Sequence, residues 1–242
     1  MYFSVHITSM FQRIVFNSFT RSLKTLSTFM AILLSAAVFA QSHPAINFSE
    51  FLPEGHVLFE KVSGDLNNDG LNDCVLITKA TDKSRIIKDE VRGDLDRNRR
   101  GIIVLFRKND SYVPVVSNPD CFSSENEDGG VYFAPELSVS IKEGNLFIHY
   151  GHGRYGYWKY TFRAQNNDLE LIGYDSSSNH GPYTISAVSM NFLTGKKLTR
   201  ENLFQSEELE EEVFKETWED IEVGELLKLS EVEDFDGLEV GY

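Results

Sequence analysis

From His56 to Asn191 the chain falls into nine short runs rich in Val, Ile, Phe and Tyr, separated by Asn, Asp and Gly. That punctuation constrains the fold more than any other feature. Branched and aromatic side chains suit a pleated surface, and the separating residues accept tight turns at little cost. The runs are Val57 to Val62, Cys74 to Thr78, Ile102 to Arg107, Tyr112 to Val116, Leu137 to Ile141, Leu146 to Tyr150, Tyr157 to Phe162, Leu169 to Tyr174 and Thr184 to Asn191. Lys142-Glu143-Gly144-Asn145 and Gln165-Asn166-Asn167-Asp168 read as hairpin turns, because Gly and Asn adopt positive φ readily and so join neighbouring antiparallel strands. The pattern predicts a mostly β chain, a single antiparallel β domain built as a meander or a sandwich. Leu209, Val213, Phe214, Trp218 and Ile221 share one helical face, but the same stretch permits a strand.

Ahead of the β region stands a segment of a different kind. Arg21 and Lys24 precede an apolar stretch from Phe29 to Phe39, and Val38-Phe39-Ala40 offers the small residues a signal peptidase accepts before Gln41. Its apolar core is shorter than the roughly 20 residues of a bilayer span, and polar Gln41-Ser42-His43 comes directly after it. Residues 1–40 are therefore expected to be a signal peptide, with a start at Met10 or Met30 as an alternative to its long preamble. The mature chain is then expected to be secreted or periplasmic, with no transmembrane segment. No proline-rich or serine-rich linker divides residues 45–205. Residues 41–205 are accordingly expected to form the β domain, and 206–242 an acidic C-terminal extension.

The whole chain has a formal charge of −14, and loss of the segment, which holds three basic residues and no acid, leaves −17. Such a surface repels phosphate backbones and anionic lipid while attracting divalent cations, which argues against nucleic acid as a partner. Between Glu207 and Tyr242 stand 15 acids against Lys215 and Lys228, a stretch that reads as a solvated face or a mobile end. The chain has two cysteines, Cys74 and Cys121. In an oxidising compartment they are a candidate disulfide, which by closing its loop would add roughly 4 kcal/mol of stability. The alternative is two buried thiols.

The strongest chemical signal lies between the first two runs. In Asp65-Leu66-Asn67-Asn68-Asp69-Gly70-Leu71-Asn72-Asp73, oxygen-bearing side chains recur at alternate positions, a glycine comes next, and an aspartate closes the set. Calcium takes about 6 to 8 hard oxygen ligands, which alternate side chains on a curled loop supply. An EF-hand is excluded, because its twelfth position would be Leu76, inside an apolar run. Gly64 to Ile77 instead resembles the strand-loop-strand calcium site of FG-GAP and VCBS repeats, the units of integrin-type β-propellers. The resemblance implies Asp65, Asn67, Asp69, the Leu71 carbonyl and Asp73 as metal ligands and calcium as the cofactor. It implies propeller-blade-like elements but not a full propeller, since there is one clear copy. Gly93-Asp94-Leu95-Asp96-Arg97-Asn98 echoes Gly64 to Asp69, yet Arg97, Arg99 and Arg100 would oppose a cation there.

Three weaker candidates remain. Ser123 to Gly130 is an acidic, glycine-ended stretch whose Glu125 to Asp128 acids, with His149, His152 and His180, would furnish a hydrolase. The same histidines invite zinc, although residues three apart on a strand face opposite sides. Tyr155, Tyr157 and Trp158 lie in the densest aromatic segment and offer a candidate surface for a glycan or a protein ligand. Alternation there sets Tyr157 and Lys159 against Trp158, Tyr160 and Phe162. No nucleophile-base spacing or phosphate-cradling loop is present. The sequence therefore favours a non-enzymatic, calcium-stabilised binding module over a hydrolase.

Overall fold

The structure, a computed structural model, describes residues 46–129, 132–203 and 213–240. The expected signal segment at 1–40 and Leu209 lie outside the described residues. Among the described residues the strands are, in chain order, β1 (His56–Gly64), β2 (Asp73–Ala80), β3 (Ile86–Asp89), β4 (Gly93–Asp96), β5 (Arg100–Lys108), β6 (Ser111–Phe122), β7 (Asp128–Gly129), β8 (Tyr132–Phe133), β9 (Glu136–Lys142), β10 (Asn145–Gly151), β11 (Gly156–Gln165), β12 (Asp168–His180), β13 (Tyr183–Asn191), β14 (Lys196–Asn202) and β15 (Phe214–Asp220). All nine runs read from the sequence fall inside strands. Every pairing among them is antiparallel.

Of the two large sheets, one has the order β1-β2-β5-β6 and the other is an unbroken meander from β9 to β15, while β3-β4 and β7-β8 form two-stranded sheets. Both expected hairpin turns are present, with positive φ at Glu143 and Gly144 and at Asn166 and Asn167. The two sheets share a core. Val75 and Ile77 of β2, Ile102 and Val104 of β5 and Phe122 of β6 pack in one cluster with Leu146 and Ile148 of β10, Phe162 of β11 and Leu171 of β12. The architecture is thus sandwich-like, with one layer formed by a meander. On the outer side of the smaller sheet, Cys74, Leu76, Ile103 and Leu105 are covered by Phe48, Phe51 and Leu52. β2 and β5 are therefore buried on both faces, and this is why they read as continuous apolar runs rather than alternating ones.

The structure decides one alternative and corrects one expectation. Cys74 and Cys121 are both buried free thiols, so no disulfide joins them. Cys74 belongs to the outer cluster of the small sheet and Cys121 to the cluster between the sheets, so strand alternation sets them on opposite faces. Residues 213–240 of the expected C-terminal extension are joined to the β domain. β15 pairs with β14 in register from Lys196↔Asp220 to Asn202↔Phe214, and Leu229, Val232 and Phe235 are buried in the core. Phe235 lies against the rings of Phe122, Tyr160 and Phe162. Its N–H donates to the Cys121 carbonyl at 3.0 Å. Asn118 Nδ2 donates to the carbonyls of Leu229 and Val232 at 3.0 and 2.7 Å. The acids of β15 face water, while Leu229, Val232 and Phe235 pack into the core that the two large sheets share. No helix among the described residues is long and apolar enough to cross a membrane.

Candidate functional site

Gly64 and Asp73 face each other across β1 and β2, so the residues between them must double back within one tight loop. Asn68 and Gly70 take positive φ, 59° and 83°, which reverses the chain where most side chains would be strained. The acidic side chains then turn onto the loop's own backbone. The two Asp65 oxygens accept from the N–H groups of Asp69 (3.2 Å) and Gly70 (2.9 Å). Asn67 Oδ1 accepts from Asp69 N–H at 3.0 Å, and Asp69 Oδ1 from Leu71 N–H at 2.8 Å. Asn67 Nδ2 donates to the other Asp69 oxygen at 3.1 Å.

Asp73 behaves differently. It is fully buried, and its two oxygens accept from Leu66 N–H at 2.8 Å and Arg107 N–H at 2.9 Å. Burial pushes its carboxyl above the ordinary range, while the Arg107 and Leu66 N–H groups pull the other way. Asp73 thus ties the loop to the end of β5 from the inside rather than closing a shell with Asp65 and Asp69. Among the described residues no group of three or more His, Cys, Asp or Glu side chains is placed to hold a metal. The oxygen-bearing side chains gathered on the loop are those of Asp65, Asn67 and Asp69. Each carboxylate oxygen keeps a lone pair after accepting one N–H.

The echo of this loop ends in a different arrangement. Asp96 Oδ1 accepts from Asn98 N–H at 3.0 Å and from Asn98 Nδ2 at 2.7 Å. Lys79 Nζ lies 2.9 Å from Asp96 Oδ2 and 3.3 Å from Glu125 Oε1. Buried Asn98 also bridges the Asp82 N–H and carbonyl. Burial alone would raise the Asp96 carboxyl, but Lys79 and Asn98 outweigh it and hold it below its usual range. A side-chain ammonium thus supplies positive charge to both carboxylates.

Glu125 and Glu127 of the hydrolase reading are engaged in ion pairs of their own. Glu125 is paired with Lys79, and Glu127 with Arg97 at 2.8 Å and with Ser124 Oγ at 2.7 Å. The cavity beside Glu127 is lined by Arg85, Arg97, Arg99, Ser123 and Asp236 and holds no histidine. His149 stands across β10 and β11 from Lys159, and burial with that ammonium lowers its pKa. His180 ends β12.

The aromatic segment also separates. Trp158 stacks on buried Tyr150 with ring centres 5.3 Å apart and packs on the core. Tyr157 stacks on His149 on the other face of the sheet, at 5.4 Å. The single surface expected from Tyr155, Tyr157 and Trp158 is thus not formed, because adjacent strand positions point opposite ways. Tyr155 instead joins His152, 5.1 Å away, at the rim of a cavity of about 330 Å³ that Glu136, Gly151, Gly153 and Arg154 also line. Register brings this about: Gly151 pairs with Glu136 on β9 and with Tyr157 on β11. No local spacing in the sequence signals Glu136. Neither family models nor curated proteins nor solved structures give a match to this chain.

Proposed function

We propose that the chain is an exported, non-catalytic β module that binds a ligand at its surface and is stiffened by calcium at the β1–β2 loop. Asp65, Asn67 and Asp69 would coordinate the ion, with a loop carbonyl such as that of Leu71, while Asp73 braces the loop from below. The observation that carries this reading is the curled loop itself. Two carboxylates and an amide are drawn onto one short turn, and among the described residues no side-chain cation is paired to them. The concentration of like charge is relieved most directly by a divalent ion. Export rests on the charged, apolar and small-residue succession of residues 21–40. Glu125 and Glu127, which the hydrolase reading would use, are instead held in ion pairs with Lys79 and Arg97.

Thermal unfolding with calcium and then with chelator tests the loop. At a calcium concentration about 100-fold above Kd the mature protein gains about 2.7 kcal/mol, a rise of roughly 5–10 °C in Tm. Asp69→Ala abolishes the gain. No shift in the wild type, or an equal shift in the variant, rejects the ion site.

A further inference from the structure

Three arginines of this acidic chain, Arg85, Arg97 and Arg99, line the cavity beside Glu127, which measures about 660 Å³. Arg85 ends the short turn Lys83–Arg85 ahead of β3, and Arg97 and Arg99 stand in the link between β4 and β5. Backbone bonds fix these segments on one another. Arg97 N–H donates to the Arg85 carbonyl at 2.9 Å and Arg85 N–H to the Asp82 carbonyl at 3.1 Å, while buried Asn98 bridges Asp82. Across the cavity lining, Phe235 N–H is bonded to the Cys121 carbonyl, which sets the adjoining Asp236 beside Ser123.

The guanidinium groups are not equally committed. Arg97 is held by Glu127 at 2.8 Å. Arg99 spends Nε on the carbonyl and carboxylate of Asp120, and Nη2 on the same carbonyl and on Asp234 at 3.1 Å. Its Nη1 takes part in none of these bonds and keeps contact with solvent. Arg85 makes no side-chain hydrogen bond or ion pair among the described residues, and its charge acts on Asp82 only through space. A guanidinium stays charged and directs N–H donors along each edge, so Arg85 and Arg99 Nη1 are open to an acceptor. The acids of the cavity are otherwise engaged: Glu127 accepts from Arg97 and Ser124, and Asp236 from Ser123.

We infer that this cavity binds a small organic molecule through its carboxylate, held by Arg85 and Arg99 Nη1, with the apolar body of the ligand against Ile87. The guanidinium fork matches the two oxygens of a planar carboxylate. A single negative charge suits the cavity better than the higher charge of phosphate or sulfate, because Asp236 and Glu127 line it too and repel each added charge. The volume lies within the range of small-molecule sites, roughly 300–1,000 Å³, and leaves room for more than the carboxylate. Ile87, 41 % exposed, offers apolar surface there. The inference rests on the binding half of the proposed function, gives it a ligand class and does not depend on calcium.

The test is calorimetry and ligand-observed saturation-transfer NMR on the mature protein at low salt. The probes are benzoate, phenylacetate and hexanoate, with benzamide as the uncharged counterpart of benzoate and inorganic phosphate and sulfate as a second arm. At least one carboxylate is expected to bind, and benzamide is not. Arg85→Gln, which breaks no side-chain contact among the described residues, lowers the affinity about tenfold or more. Asp236→Asn raises it by removing a like charge, and Arg163→Gln on β11, outside the cavity lining, leaves it unchanged. Unchanged far-UV circular dichroism and Tm in the variants excludes misfolding as the cause. Failure of every carboxylate to bind, equal binding of benzamide and benzoate, tighter binding of phosphate or sulfate than of any carboxylate, or loss in Arg163→Gln with retention in Arg85→Gln overturns the assignment. Protein freed of calcium on a chelating resin separates the two proposals. Carboxylate binding without any calcium effect on Tm refutes the loop and leaves the cavity standing, and a calcium effect on Tm without carboxylate binding does the reverse.

Discussion

The segments Gly64–Asp73, which runs from the end of β1 through a loop, and Gly93–Asn98, which is strand β4 and the two residues after it, begin with nearly the same residues, yet the fold neutralises them by different means. In the second, Lys79 from the neighbouring β2 strand reaches Asp96 at 2.9 Å, and Arg97 is tied to Glu127. In the first, the partners of Asp65 and Asp69 among the described residues are backbone N–H groups and the Asn67 amide. On the proposed reading, an acidic segment serves as a cation site less by its own spacing than by whether a strand beside it already supplies the positive charge.

Removing the brace beneath the first loop has the largest expected effect. Asp73→Ala leaves the Leu66 and Arg107 N–H groups without their acceptor in a buried setting, at a cost of about 3–5 kcal/mol by chemical denaturation. The same residue sets a pH dependence. Because its folded pKa lies above the ordinary 3.8, its contribution is fully present below that value and falls as pH rises through the raised folded pKa. Asp73→Asn, compared by denaturation at several pH values, should flatten the stability curve over that window. A curve of wild-type slope would mean that Asp73 is not the titrating group.

A smaller effect is expected at the second loop. Lys79→Met strips the ammonium from Asp96 and Glu125, but both carboxylates are more than a third exposed, so solvent screens the loss. About 1 kcal/mol of destabilisation should appear at low salt and shrink in about 1 M sodium chloride. A salt-independent loss would point to packing of the Lys79 stem instead.

Most of the strand content is legible in the sequence because β-branched and aromatic runs meet Asn and Gly turns, as at Glu143-Gly144 and Asn166-Asn167. β3 and β4 are not, since Ile86-Ile87-Lys88-Asp89 and Gly93-Asp94-Leu95-Asp96 form an exposed hairpin with little hydrophobic patterning. The role of the C-terminal stretch is hidden for the opposite reason. Val232 and Phe235 are deeply buried but sit singly among acids, and Leu229, three residues before Val232, belongs to a short leucine cluster in the same acidic stretch, so neither strand alternation nor a long helical face marks the three anchors. The acidic loop is legible as a unit, whereas the inward turn of Asp73 depends on Arg107, 34 residues away. The cavity at His152 depends likewise on strand register, which brings Glu136 beside Gly151. Such convergence has no local signature.

The contrast between the loops is tested most directly by following backbone amide resonances of the mature protein during a calcium titration. Saturable shifts are expected at Asp69, Gly70 and Leu71 up to about 10 mM ion, a range that covers extracellular modules, with Asp82 and Asn98 unmoved. No movement in the first loop, or equal movement in both, would contradict the account.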